Sequence, residues 1–152
     1  MRTVVLALAA ALVLCAPAAA HRATARSEAS LLSQMNDVRA QYGLAPLALD
    51  PRLGRAARTH SRDMLDANVF DHGDFADRMS QFDVTGGVAG ENLAWGTGPR
   101  GSAQGIVVAW LASPEHRANL LRASFTLVGI GDLVGPFQGH ARAHVVTADF
   151  AE

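Results

Sequence analysis

Four side chains stand out as able to do chemistry near neutral pH: His60, His72, Glu91 and His116. Imidazole and carboxylate hold a zinc ion when two or three converge and one position is left to water. The same groups serve as general acid or base. They form no compact His-x-x-x-His pattern, so residue type suggests a site that spacing alone does not assemble. A hydrogen-bonded buried polar network is the plainer alternative.

Other chemistries find less support. Gly96-x-Gly98-x-x-Gly101 matches a dinucleotide fingerprint. However, Pro99 stiffens it, Leu121 stands where a carboxylate is expected about 20 residues on, and no βαβ unit is suggested. It reads as a glycine-rich surface loop. There is no Gly-x-Ser-x-Gly. Ser61 directly follows His60, so on a helix the two side chains diverge by about 100°. Ser113 reads as the N-cap of a helix beginning Pro114-Glu115-His116.

The elements that must position these residues can be read from periodicity. A helix is predicted from near Ser27, with Leu31, Met35, Val38 and Tyr42 on one face and Gly43 as its stop. Asp50 and Pro51 cap and open a second helix that ends at Asn68, and its apolar stripe Leu53, Ala57, His60, Met64 turns His60 inward. His72 falls in the loop that follows. A short helix is predicted over 74–82, then a long irregular stretch in which Leu93-Ala94-Trp95 forms a turn of helix. Helices over 102–112 and 114–121 come next. Two strands, 125–133 and 143–150, close the chain through a hairpin at Gly135, Pro136 and Gly139. The expected fold class is α+β, layered.

Composition narrows the partners. All 13 basic residues are arginines, nearly balanced by 14 acids, so no basic stripe points to nucleic acid or an anionic membrane. Residues 1–20 read as a signal peptide: a basic start, the apolar run Val4–Leu14 and the small residues Ala18-Ala19-Ala20. Residues 21–28 then form a flexible leader and 29–152 one domain. Export is the expectation, with lipid anchoring through Cys15 as the lesser alternative. No segment is long enough for a transmembrane helix, and cleavage removes the only cysteine.

Several segments together resemble the CAP superfamily: cysteine-rich secretory proteins, antigen 5 and pathogenesis-related 1 proteins, with their bacterial relatives. They are Asn36-Asp37-Val38-Arg39, Ala56-Ala57-Arg58-x-His60-Ser61-x-Asp63-Met64, Phe70-x-His72, Gly90-Glu91-Asn92-Leu93-Ala94, Trp110 through Leu121 and Thr147-x-Asp149-Phe150. The absence of a mature cysteine places the chain nearer the bacterial branch. The resemblance implies an α-β-α sandwich around a small central antiparallel sheet. It also implies a cleft of two histidines and two glutamates that binds a divalent metal in some members.

Carried over, His72, Glu91 and His116 match the cleft, whereas the second glutamate position holds Ser113. Zinc or another divalent ion would then rest on His72, His116 and Glu91. Glu115 is the nearest replacement acid, although a helix turns it about 100° from His116. His60 is expected beside the cleft, with Asn92 and Asn119 tying the glycine-rich segment and the last helix to the core. No catalytic residue is assigned. The leading expectation is a secreted, monomeric binding module for a small ligand, lipid or cell-envelope component. A metal-dependent, peptidase-like hydrolase and a purely structural domain are the alternatives.

Overall fold

The structure is a computed structural model that describes residues 16–152, with side-chain packing from residue 22. The signal-peptide core and Cys15 lie outside the described residues. Helix α1 spans Ala16–Gln41, so the segment expected to be a loose leader is helical. It is tied down where Glu28, only 6% exposed, accepts two hydrogen bonds from Arg58 at 2.7 and 2.6 Å.

Leu31 and Met35 anchor α1 in the core, and the next inward position on that stripe is Arg39. Its guanidinium is fully buried and donates to the carbonyls of Ala45, Leu120, Arg122 and Phe125 at 2.9–3.0 Å. A buried cation is tolerable only with such satisfaction. Tyr42, expected on the buried face, is half-exposed and packs against Arg117 instead.

Helix α2 (Pro51–Ala67) is opened by Asp50, whose side chain accepts from the amides of Arg52 and Leu53. Its hydrogen bond to the Arg52 side chain holds the Asp50 carboxyl down at about 2. Asn68 ends the helix in the left-handed conformation, φ 54°. Then come α3 (Phe75–Gln81), α4 (Ala103–Ala112) and α5 (Pro114–Leu120). Ser102 caps α4 through its hydroxyl, whereas Ser113 begins α5 with no side-chain capping bond.

Four strands form one sheet in the order β1-β3-β4-β2. They are β1 (Ala48–Leu49), β2 (Ala89–Gly96), β3 (Leu127–Phe137) and β4 (His140–Ala151). The sheet is antiparallel apart from β1, which runs parallel to β3. The stretch expected to be irregular is therefore a strand, and Leu93-Ala94-Trp95 is extended rather than helical. The sequence hides β2 because Glu91 and Asn92 are polar on both faces, which removes the usual apolar alternation. The Gly96–Gly101 run is a tight strand-to-helix corner containing a 3-10 turn, Gly98–Gly101. A Cβ on Gly101 would meet the Gly96 carbonyl at 2.5 Å, so Gly96 and Gly101 serve close backbone packing.

The two faces are covered differently. Helices α1, α4 and α5 pack Leu31, Met35, Ile106, Trp110 and Leu120 on Val128, Ile130, Val146, Ala148 and Phe150. On the opposite face α2 descends onto β3 at Gly129 and Gly131. A Cβ at Gly129 would lie 1.9 Å from the Leu53 carbonyl carbon, and one at Gly131 would lie 2.5 Å from the Ala57 oxygen. The expected α-β-α layering is thus observed, and its closest contact is backbone on backbone.

That contact makes a test. Gly129→Ala should cost about 3 kcal/mol or more in urea unfolding, because two backbones rather than one flexible side chain must separate. A loss below about 1 kcal/mol would show that α2 can lift without consequence.

Candidate functional site

Glu91 lies in β2 directly opposite Asp149 of β4. The alternation of the strand turns it toward the α2 face, where its side chain is 3% exposed. A carboxylate that deep needs partners, and it has them on both oxygens. Oε1 bonds His72 Nδ1 at 2.6 Å. Oε2 accepts from Arg78 Nη2, a buried ion pair.

Arg78 is the hub that sequence reading missed. It lies in α3, and its Nη1 donates to His60 Nδ1 at 3.1 Å and to the His72 carbonyl at 3.3 Å. His60 therefore carries its proton on Nε2, which bonds the Asp71 carbonyl at 2.9 Å. Burial, the largest cause, lowers the His60 pKa; the charge of Glu91 opposes it and the adjacent Arg78 supports it. The imidazole is a neutral relay between Arg78 and the loop that carries His72.

Asp149 is the second acid of the site and was also missed. It is fully buried, and neither carboxyl oxygen has a hydrogen-bond partner among the described residues. Burial first, and then the charge of Glu91 beside it, push its pKa well above the ordinary value. Arg78 acts in the opposite direction, and burial outweighs it. Its sequence signals are its place in the Thr147-x-Asp149-Phe150 segment and its being the single acid within the β-rich run 143–150. Arg78 is signalled only by its place beside Met79 and three residues after Phe75 in a short amphipathic helix.

His116 reaches the site from α5, on the other side of strand β2. The Asn92 amide donates to the His116 carbonyl at 2.9 Å. Asn119 Nδ2 in turn donates to the Glu91 carbonyl at 3.1 Å and to Asn92 Oδ1 at 3.0 Å. These bonds clamp α5 to β2. Burial and then the proximity of His72 lower the His116 pKa. Of the remaining sequence candidates, Ser113 is half-buried and Glu115 is exposed. Neither joins the hydrogen-bonded network. Ser61, next to His60, points the other way and bonds the Gly131 carbonyl and Thr147.

Among the described residues, no group of three or more His, Cys, Asp or Glu side chains is placed to hold a metal ion. The donor chemistry explains this. Both oxygens of Glu91 are committed, one of them to a guanidinium whose charge opposes a nearby cation. His72 spends Nδ1 on Glu91 and keeps only Nε2 for a visitor; its side chain is 58% exposed. The set does not fit a two-His, one-Glu centre. A cavity of about 510 Å³ opens beside this network between α2 and α3, bordered by His60, Arg78, Met64, Val69, Asp63 and Asp77.

Relatives agree with this architecture. The profile of the cysteine-rich secretory protein family, CAP, matches residues 32–150. The chain belongs to the CAP family. The uncharacterized protein YkwD of Bacillus subtilis (strain 168) is 38% identical over 109 residues, 68% of this chain and 41% of that protein. The uncharacterized membrane protein YlbC of the same organism is 36% identical over 112 residues, 69% of this chain and 31% of its own. This CAP chain thus spans less than half the length of the curated relatives it matches.

An extracellular protein containing a SCP domain from Bacillus anthracis superposes with a TM-score of 0.72 at 28% identity, covering 90% of this chain and 43% of that one. An outer surface protein from Borrelia burgdorferi gives a TM-score of 0.63 at 22% identity, over 80% and 90% of the two chains, and shows the fold alone. These two solved relatives are thus extracellular or surface proteins, and no helix among the described residues is long and apolar enough to cross a membrane.

The Glu91–Arg78 pair can be tested by removing the cation. Arg78→Met should cost about 3–5 kcal/mol in denaturant unfolding, since it leaves a buried carboxylate without its ion partner. A cost near zero would mean that Glu91 is not held as described.

Proposed function

We propose that this CAP chain is an extracellular binding module that presents His72 and His116 to a polar ligand of the cell envelope. The supporting observation is the engagement of Glu91. With one oxygen on His72 and the other on Arg78, its carboxylate is a structural anchor and is not available as a general base. No serine or cysteine hydrogen-bonds either imidazole among the described residues. The site therefore offers hydrogen-bonding groups in fixed positions, which suits recognition more than turnover.

Half-exposed aromatic rings extend the surface next to it. Phe70 precedes His72 by two residues and is 40% exposed, and Trp95 shares the face of β2 with Glu91 and is 36% exposed. Both rings are braced edge-on against buried Phe137, and Trp95 also leans on His140. Rigid aromatic faces beside polar groups suit the alternating polar and apolar surface of a saccharide. The extracellular placement of the Bacillus anthracis relative and the apolar run Val4–Leu14 support export.

Titration of chitotetraose, muramyl dipeptide and phospholipid vesicles into labelled full chain, followed by NMR, tests the proposal. Shifts centred on His72, His116 and Trp95 with one of these probes are expected, weakened by about tenfold or more in His72→Ala. No saturable shift with any probe, or saturation centred elsewhere, overturns it.

A further inference from the structure

A second cavity, of about 410 Å³, lies far from the Glu91 network, where α1, α2 and the β3–β4 hairpin meet. Ala23, Thr24 and Ser27 of α1 form one wall and Leu65 of α2 another, with Leu133 and Val134 of β3 completing an apolar lining. Its charged groups are Arg62, Arg142, His144 and Asp132.

These four groups do not balance one another. Asp132 is 3% exposed and is bound by His144 Nδ1 at 2.8 Å. That bond raises the His144 pKa, since a charged imidazole gains most from the carboxylate. The acid is thereby committed to one partner. Arg62 and Arg142 are exposed, come from different elements, and have no hydrogen-bond or ion-pair partner among the described residues. Two other arginines that border concave surface do find carboxylates: Arg58 holds Glu28 and Arg78 holds Glu91. Here two guanidinium forks and the second imidazole nitrogen of His144 border a cavity whose one carboxylate, Asp132, is already bound by His144.

We propose that this cavity binds the oxyanion of a small organic acid, a phosphate monoester or a carboxylate. The Arg62 and Arg142 side chains grip the anionic group, and Leu65, Leu133 and Val134 receive an apolar body. Guanidinium forks match the geometry of both oxyanions, and the bonds formed are charge-assisted. Two exposed arginines alone would be strongly screened, so the apolar lining must supply the rest of the affinity. The cavity is too large for a bare phosphate ion to fill, which favours a ligand with a body over an inorganic ion.

Calorimetry on the full chain at low salt tests this with inorganic phosphate, phenyl phosphate and benzoate. Phenyl phosphate or benzoate should bind at least about fivefold more tightly than inorganic phosphate, and the better of the two identifies the oxyanion. The double variant Arg62→Gln plus Arg142→Gln should weaken that binding by about tenfold or more with little change in melting temperature, because neither side chain is buried or paired. Absence of saturable binding by about 10 mM of every probe overturns the proposal. So does equal affinity in the double variant.

Discussion

A single buried negative charge organises the candidate site. The Glu91 carboxylate sits on a strand face with almost no access to water, so its charge survives only because Arg78 and His72 meet it. Everything nearby follows from that charge. Arg78 is fixed by it and donates to His60 Nδ1, which leaves that nitrogen without a proton. Neutral His60 then bonds the Asp71 carbonyl and holds the loop that presents His72. Asp149 faces the same charge across the strand pair, and burial together with that charge raises its pKa.

The strand register makes this crowding possible. Glu91, Asp149 and Gly129 lie on one line across β2, β4 and β3. Glycine at that position lets α2 sit directly on the sheet, bringing His60 to the depth of the carboxylates. On the other face of β2 the Asn92–Asn119 pair fixes α5, which brings His116 around the same strand. One strand thus carries an ionic anchor on one side and an amide clamp on the other. His72 and His116 are near enough for the one to lower the pKa of the other, so these two supports meet around them.

Much of this was legible in the sequence. The caps of α2, the inward turn of His60, the closing hairpin and the family motifs all depend on local patterns with direct physical meaning. Strand β2 was not legible, because its functional residues are polar on both faces and so erase the period that marks a strand. Arg78 and Asp149 were hidden for a related reason. A buried charge is unremarkable in sequence, and only tertiary contact shows that its partner is another buried charge. The missing second glutamate drew attention to Ser113 and Glu115, yet the acid that the fold brings to Glu91 comes from a distant strand.

The central claim is that Glu91 is an anchor committed to Arg78 and His72 rather than a ligand waiting for a metal. Zinc titration into the full chain by calorimetry tests this most directly, with the His72→Ala plus His116→Ala variant alongside. The committed carboxylate predicts no one-to-one binding tighter than about 10 μM, since at most two imidazole nitrogens are open to the ion. A submicromolar, one-to-one zinc site that disappears in the double variant would contradict it.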